Sequence, residues 1–125
     1  MPLILSRELA ANLSTPMVLI DADGTVVFCN EAAELMLGRS FSDMGPLTAG
    51  EFGKMLDFRG LDGEPLRRRD SPPGRAFLER VPAHQSLVIT ALDGTPREVE
   101  CTAYPLFGRD QEMHGVLTVF WEAAP

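Results

Sequence analysis

Residues 17–38, MVLIDADGTVVFCNEAAELMLG, compress an apolar run, an Asp-Gly turn, a second apolar run and a capped helix into one short span. Met17, Val18, Leu19 and Ile20 are a continuous apolar run of strand length. Asp23 and Gly24 supply the positive φ that a tight hairpin needs, and Val26, Val27, Phe28 and Cys29 then return antiparallel. Asn30 stands where an N-cap belongs, and Glu31 and Glu34 favour the positive end of the helix dipole. Gly38 marks a left-handed C-terminal cap. The expectation is a hairpin followed by a short helix, with Asp23, Gly24 and Asn30 as structural turn and cap residues.

The rest of the chain divides by the same local signals. Leu5, Leu9 and Leu13 recur at helical spacing behind a capping Ser6, which predicts an amphipathic helix over residues 1–14 ahead of one domain over 15–122. Residues 39–72 are rich in Gly, Pro and charge. Within them Thr48 and Glu51 match a capping box in front of Phe52, Met55 and Leu56. Asp70, Ser71, Pro72 and Pro73 read as a second helix start, because a proline there loses no hydrogen bond. That helix runs through Ala76, Phe77 and Leu78 and should stop before Pro82. Three strands follow, at 88–92, 98–106 and 115–121, the first two joined by an Asp93-Gly94 turn.

On these residues the chain resembles a PAS domain, the small sensor and dimerisation module of bacterial signalling proteins. The family's first hairpin carries a D-x-x-G-x-[IV] turn leading into an N-x-A helix, matched here by D-A-D-G-T-V at 21–26 and Asn30, Glu31, Ala32. The last three strands fit as well, so the resemblance covers about residues 15–122. It implies an α/β (α+β) PAS fold: a five-stranded antiparallel sheet in the order 2-1-5-4-3, helices on one face and an additional N-terminal helix.

Composition narrows the function classes. A chain of 125 residues with 45% hydrophobic content is one domain with a single core. A formal net charge of -7 argues against nucleic acid and anionic membrane surfaces as partners, since phosphate binding needs clustered Lys and Arg. No apolar run approaches the roughly 20 residues of a membrane span, and the start MPLILSREL lacks the basic lead of a signal peptide. The expected compartment is the cytoplasm. Cys29 and Cys101 lack metal-site spacing and are expected to be buried free thiols.

Strand alternation points to interfaces. Glu98, Glu100 and Thr102 fall on one face of their strand, opposite Val99, Cys101 and Ala103. Residues 116–121 are instead apolar on both faces apart from Thr118, as are residues 17–20, so both strands should be central and covered on two sides. The expected outer cover is the N-terminal helix or a second subunit. Leu5, Leu9, Leu13, Val116 and Phe120 form the candidate docking and dimer surface, and the resemblance implies a homodimer.

The inventory for catalysis is thin. His84 and His114 are the two histidines available as bases. His84 and Ser86 share a strand face without a third, orienting group, and His114 is expected in the turn before the last strand. Asp21 and Asp23 are turn residues without metal-loop spacing, and no phosphate-binding glycine motif occurs. Arg67, Arg68 and Arg69 form the one basic cluster, to be read either as a solvated loop between Glu64 and Asp70 or as a guanidinium fork for a ligand or partner anion.

Within the resembled family, cofactors depend on particular residues. Residues 72–80 hold no histidine to serve as a haem ligand. The Asn-Cys-Arg-Phe-Leu motif of flavin photosensors of the LOV type is absent, because Cys29 precedes Asn30 at a strand end. Haem and flavin are therefore disfavoured, and no metal is expected. Met36, Phe41, Met55, Leu56 and Phe77 are the candidate lining of a ligand pocket, or equally a filled core. The chain ends FWEAAP, without the Asp-x-Thr that usually leads to an output coiled coil, which leaves a free-standing PAS protein or a fragment. The reading is thus a non-enzymatic regulatory module that dimerises, meets a signalling protein and senses a small apolar molecule. The alternatives are a ligand-free interaction scaffold and a small enzyme of a hot-dog or cone-like α/β fold.

Overall fold

The computed structural model describes residues 15–38, 40, 42, 47–91 and 94–122. Strands β1 (Met17–Asp21) and β2 (Thr25–Cys29) form the first hairpin, and helix α1 (Glu31–Leu37) follows. A two-residue strand β3 (Leu47–Thr48) leads into α2 (Ala49–Leu56). A 3-10 turn (Arg68–Asp70) then precedes α3 (Pro72–Glu79). Strands β4 (Ala83–Thr90), β5 (Pro96–Phe107) and β6 (Met113–Glu122) complete the chain.

All strands join one antiparallel sheet in the order β3-β2-β1-β6-β5-β4. The five expected strands keep their expected order. The sixth, β3, is an addition at the edge, held by the pairs Thr25 with Thr48 and Val26 with Leu47. Such a strand exists only through its partner and leaves no alternating pattern of its own. The third expected strand also begins earlier than 88, at Ala83. The mixed stretch Ala83, His84, Gln85, Ser86 becomes regular because it pairs residue for residue with Ala103, Thr102, Cys101 and Glu100.

The hairpin and its helix are fixed by side chains that hold the backbone. The Asp21 carboxylate accepts from the Asp23 and Thr25 N–H groups at 2.9 and 3.0 Å, and Gly24 takes φ 84°. Asn30 Oδ1 accepts from the Ala33 N–H at 2.9 Å and from the Met17 N–H at 3.0 Å. Its Nδ2 donates to the Thr15 carbonyl at 2.8 Å. The predicted N-cap thus also ties α1 to the start of β1. Gly38 closes the helix at φ 85°. The Thr48–Glu51 capping box opens α2, Ser71 caps α3 with Pro72 and Pro73 in its first turn, and α3 ends at Glu79 ahead of Pro82.

Helices α1, α2 and α3 pack on one face of the sheet, where Val18, Ile20, Val26, Leu37, Leu56, Leu87, Val99, Cys101 and Ala103 are buried together. Val116 and Phe120 belong to this core, at 0% and 2% exposure. Their placement corrects the candidate docking surface. Register pairs Val116 with Ile20 and Thr118 with Val18, so Val116, Thr118 and Phe120 face the helices. Leu117, Val119 and Trp121 face outward instead. Leu5, Leu9, Leu13 and Phe41 lie outside the described residues, as does the Asp93 half of the Asp93-Gly94 turn.

Candidate functional site

The floor of the site is the helix-facing side of the two central strands. Val18 and Ile20 of β1 and Thr118 and Phe120 of β6 border a cavity of about 920 Å³ between the sheet and α2 and α3. Ligand sites commonly fall in the range of about 300–1,000 Å³. Phe52 of α2, Phe77 of α3, and Phe58 and Leu66 from the intervening loop supply apolar walls. The loop is positioned by the sheet edge. Arg59 and Val88 exchange backbone hydrogen bonds of 2.8 and 2.9 Å, which brings Phe58 edge-on to Phe120, with ring centroids 6.4 Å apart and planes at 89°.

Of the candidate pocket residues, Phe77 borders the cavity. Leu56 is wholly buried in the core, Met36 packs against that core, and Met55 is half-buried away from the cavity. Within α2, Phe52 borders the cavity, whereas Leu56 takes the core alternative.

Thr118 is the polar exception on the floor. It is 1% exposed, and its Oγ1 has no hydrogen-bond partner among the described residues. A buried hydroxyl left without a partner costs about 1–3 kcal/mol.

The mouth is polar. Thr48, Glu51, Lys54, Asp57, Arg68 and Arg69 lie along it. The Glu51 carboxylate accepts the Thr48 N–H at 2.9 Å, and this bond, with that from the Thr48 hydroxyl, holds its carboxyl below the usual range. Arg68 and Arg69 sit on the 3-10 turn that Gly74 of α3 supports at close range. A Cβ at Gly74 would lie 1.9 Å from the Arg68 carbonyl oxygen, a contact no sequence signal marks. Gly74→Ala should therefore push this turn outward and lower stability by about 1–3 kcal/mol, measured by thermal denaturation; an unchanged melting temperature would contradict the close packing.

The two histidines and Ser86 lie elsewhere. On the outer face His84 Nδ1 meets Thr102 Oγ1 at 2.6 Å, and His84 Nε2 meets Glu100 Oε1 at 2.8 Å. Ser86 Oγ donates to Glu100 Oε2 at 2.6 Å. A third group is thus present, contrary to expectation, because β5 brings Glu100 beside the pair. The carboxylate stands between serine and histidine, however, so the imidazole does not receive the serine proton as in a triad. The two bonds to Glu100, Ser86 first and His84 second, hold its carboxyl below the usual range. His114 is the second residue of β6 rather than a turn residue, with Gly108 packed against its imidazole.

Cys29 and Cys101 are buried free thiols. Burial first, and the Glu34 charge second, push the Cys29 thiol up to about 12. Burial also raises that of Cys101. Neither is a nucleophile near neutral pH.

A family model described as the PAS fold matches residues 11–124. The chain belongs to the PAS family. Among curated proteins no relative matches it. Among solved structures it is similar to the PAS domain of nitrogen regulation protein NR(II) from Vibrio parahaemolyticus, at 16% identity and TM-score 0.65, covering 95% of this chain and 98% of that one. The PAS domain of the fruit-fly ELK potassium channel gives 12% identity and TM-score 0.76, with 98% of each chain covered. The light-state dimer of the fungal blue-light photoreceptor Vivid gives 16% identity and TM-score 0.66, covering 89% of this chain and 79% of that one. PAS domains are sensor and signalling modules, typically without enzymatic activity, and they commonly dimerise and engage signalling partners. No helix among the described residues is long and apolar enough to cross a membrane.

Proposed function

We propose that this PAS domain is a cytoplasmic, non-enzymatic sensing module that takes a small, largely apolar ligand between its sheet and helices and passes the signal through its outer sheet face. The observation that carries the reading is the cavity of about 920 Å³ with an unpartnered Thr118 hydroxyl on its floor. The family's role as sensor modules supports the same reading, as do two buried free thiols, which suit a reducing compartment.

The outer face supports pairing with a second copy, with signalling partners meeting the resulting dimer. Trp121 and Tyr104 are 41% and 44% exposed there, beside the half-buried Leu117 and Val119, and exposed apolar patches of this kind mark interfaces. Vivid forms a dimer in its light state.

Native mass spectrometry of freshly purified protein tests the ligand directly. A retained molecule of a few hundred daltons or less, lost on denaturation, is expected. A bare polypeptide mass that no small-molecule panel stabilises thermally would leave the interaction-scaffold alternative. The purified protein should show no visible absorption band and no stoichiometric metal. A haem or flavin spectrum would overturn the apolar-ligand reading.

A further inference from the structure

The three arginines of the loop before α3 have different surroundings. Arg67 Nε donates to the Asp70 carboxylate at 3.2 Å. Arg68 and Arg69 are exposed, form no ion pair among the described residues, and both border the mouth of the cavity. The Arg68 guanidinium lies over Gly50 of α2, where an added Cβ would stand 3.1 Å from its Nη1. The glycine leaves room for that side chain against the first turn of the helix.

The acids around the mouth are mostly engaged. Asp57 pairs with Arg59 at 2.9 Å, and Glu51 is held in the capping box of α2. Asp23 and Lys54 offset one another in charge. Two guanidinium groups therefore remain uncommitted at the opening of a cavity with four phenylalanines in its walls, in a chain whose net charge is -7. Lys54, Arg68 and Arg69 there balance Asp23, Glu51 and Asp57, so the opening is far less negative than the chain as a whole, and two of its cations are free to meet an anion.

We propose that the cavity takes a small amphipathic anion, its charged head held at the mouth by Arg68 and Arg69 and its apolar body lying against Phe52, Phe77 and Phe120. This inference rests on the ligand-binding reading and adds the charge and shape of the ligand. Planar guanidinium forks suit a carboxylate or similar oxyanion, and the aromatic walls suit a hydrocarbon or ring body. Two unpaired guanidinium groups at the mouth disfavour amphipathic cations of the same size.

Titration calorimetry with three probes of one chain length separates the possibilities: decanoate, decanol and decylamine, each below its aggregation concentration. Decanoate is expected to bind one to one, about tenfold or more tightly than decanol, with decylamine weakest. The advantage should shrink with added salt, because the mouth is exposed to solvent. The double variant Arg68→Gln, Arg69→Gln should reduce decanoate to the level of decanol while keeping the wild-type melting temperature, since both side chains are exposed. If decanol matches decanoate, or the double variant keeps the preference, the anion proposal is overturned and the ligand-binding reading stands. If none of the probes binds and native mass spectrometry finds no retained molecule, the ligand-binding reading falls and the proposal with it.

Discussion

Asn30→Ala should lower the stability of the domain by about 2–4 kcal/mol, a drop of the melting temperature of roughly 8–15 °C, without altering the cavity. An N-cap alone is worth about 0.5–2 kcal/mol. Asn30 does more than cap, because its Oδ1 serves the N–H groups of both Ala33 and Met17, and its amide reaches the Thr15 carbonyl. With the residue 1% exposed, water cannot replace those partners, and the orphaned Met17 N–H adds the cost of a buried donor. Asn30→Asp keeps the acceptor but sets a carboxylate oxygen against the Thr15 carbonyl and buries a charge, so it should recover only part of the difference in a thermal melt. A protein with Ala at 30 and an unchanged melting temperature would show that neither bond matters to the fold.

That double role marks the boundary of what residue order reveals. The capping of α1 was legible because N-cap chemistry is local: Asn30, Ala33 and Gly38 lie within one helix and its caps. The bond to Met17 spans the hairpin and needs the register of β1 on β2. The same distinction explains β3, whose two residues are a strand only beside Thr25 and Val26, and β4, whose polar first half pairs with β5. The helix starts at Thr48 and Ser71 were local and legible. The cavity was not, since its floor comes from strands near opposite ends of the chain and its mouth from a loop that Gly74 props in place. Thr118 stood out in sequence as the polar residue of an apolar strand, and that signal fell on the floor of the site.

The last strand supplies the sharpest separation of core from surface, because neighbours in sequence have opposite fates. Phe120 pairs across from Cys101 on the helix face, and Trp121 pairs across from Glu100 on the outer face. Apolar character alone could not assign them, since both parities of β6 are apolar. The assignment came from the ladder with β1 and β5. Phe120→Ala removes a ring that is 2% exposed and braces Phe58, and it should cost about 3–5 kcal/mol, a large part of the stability of a domain this size. Trp121→Ala removes an exposed ring stacked near His84, at 5.9 Å between centroids, and should change the monomer's stability little. Its effect is expected in sedimentation, where the proposed dimer should dissociate at concentrations at which the parent chain stays associated. Combining Trp121→Ala with Leu117→Glu should extend that effect, because the added charge would have to be buried in the interface. A parent chain that sediments as a monomer at high micromolar concentration would remove the outer face as a dimer surface. The opposite pattern, with Trp121→Ala unfolding the protein and Phe120→Ala leaving it intact, would mean that β6 is shifted by one residue against β1 and β5, with Trp121 turned into the core and Phe120 out of it.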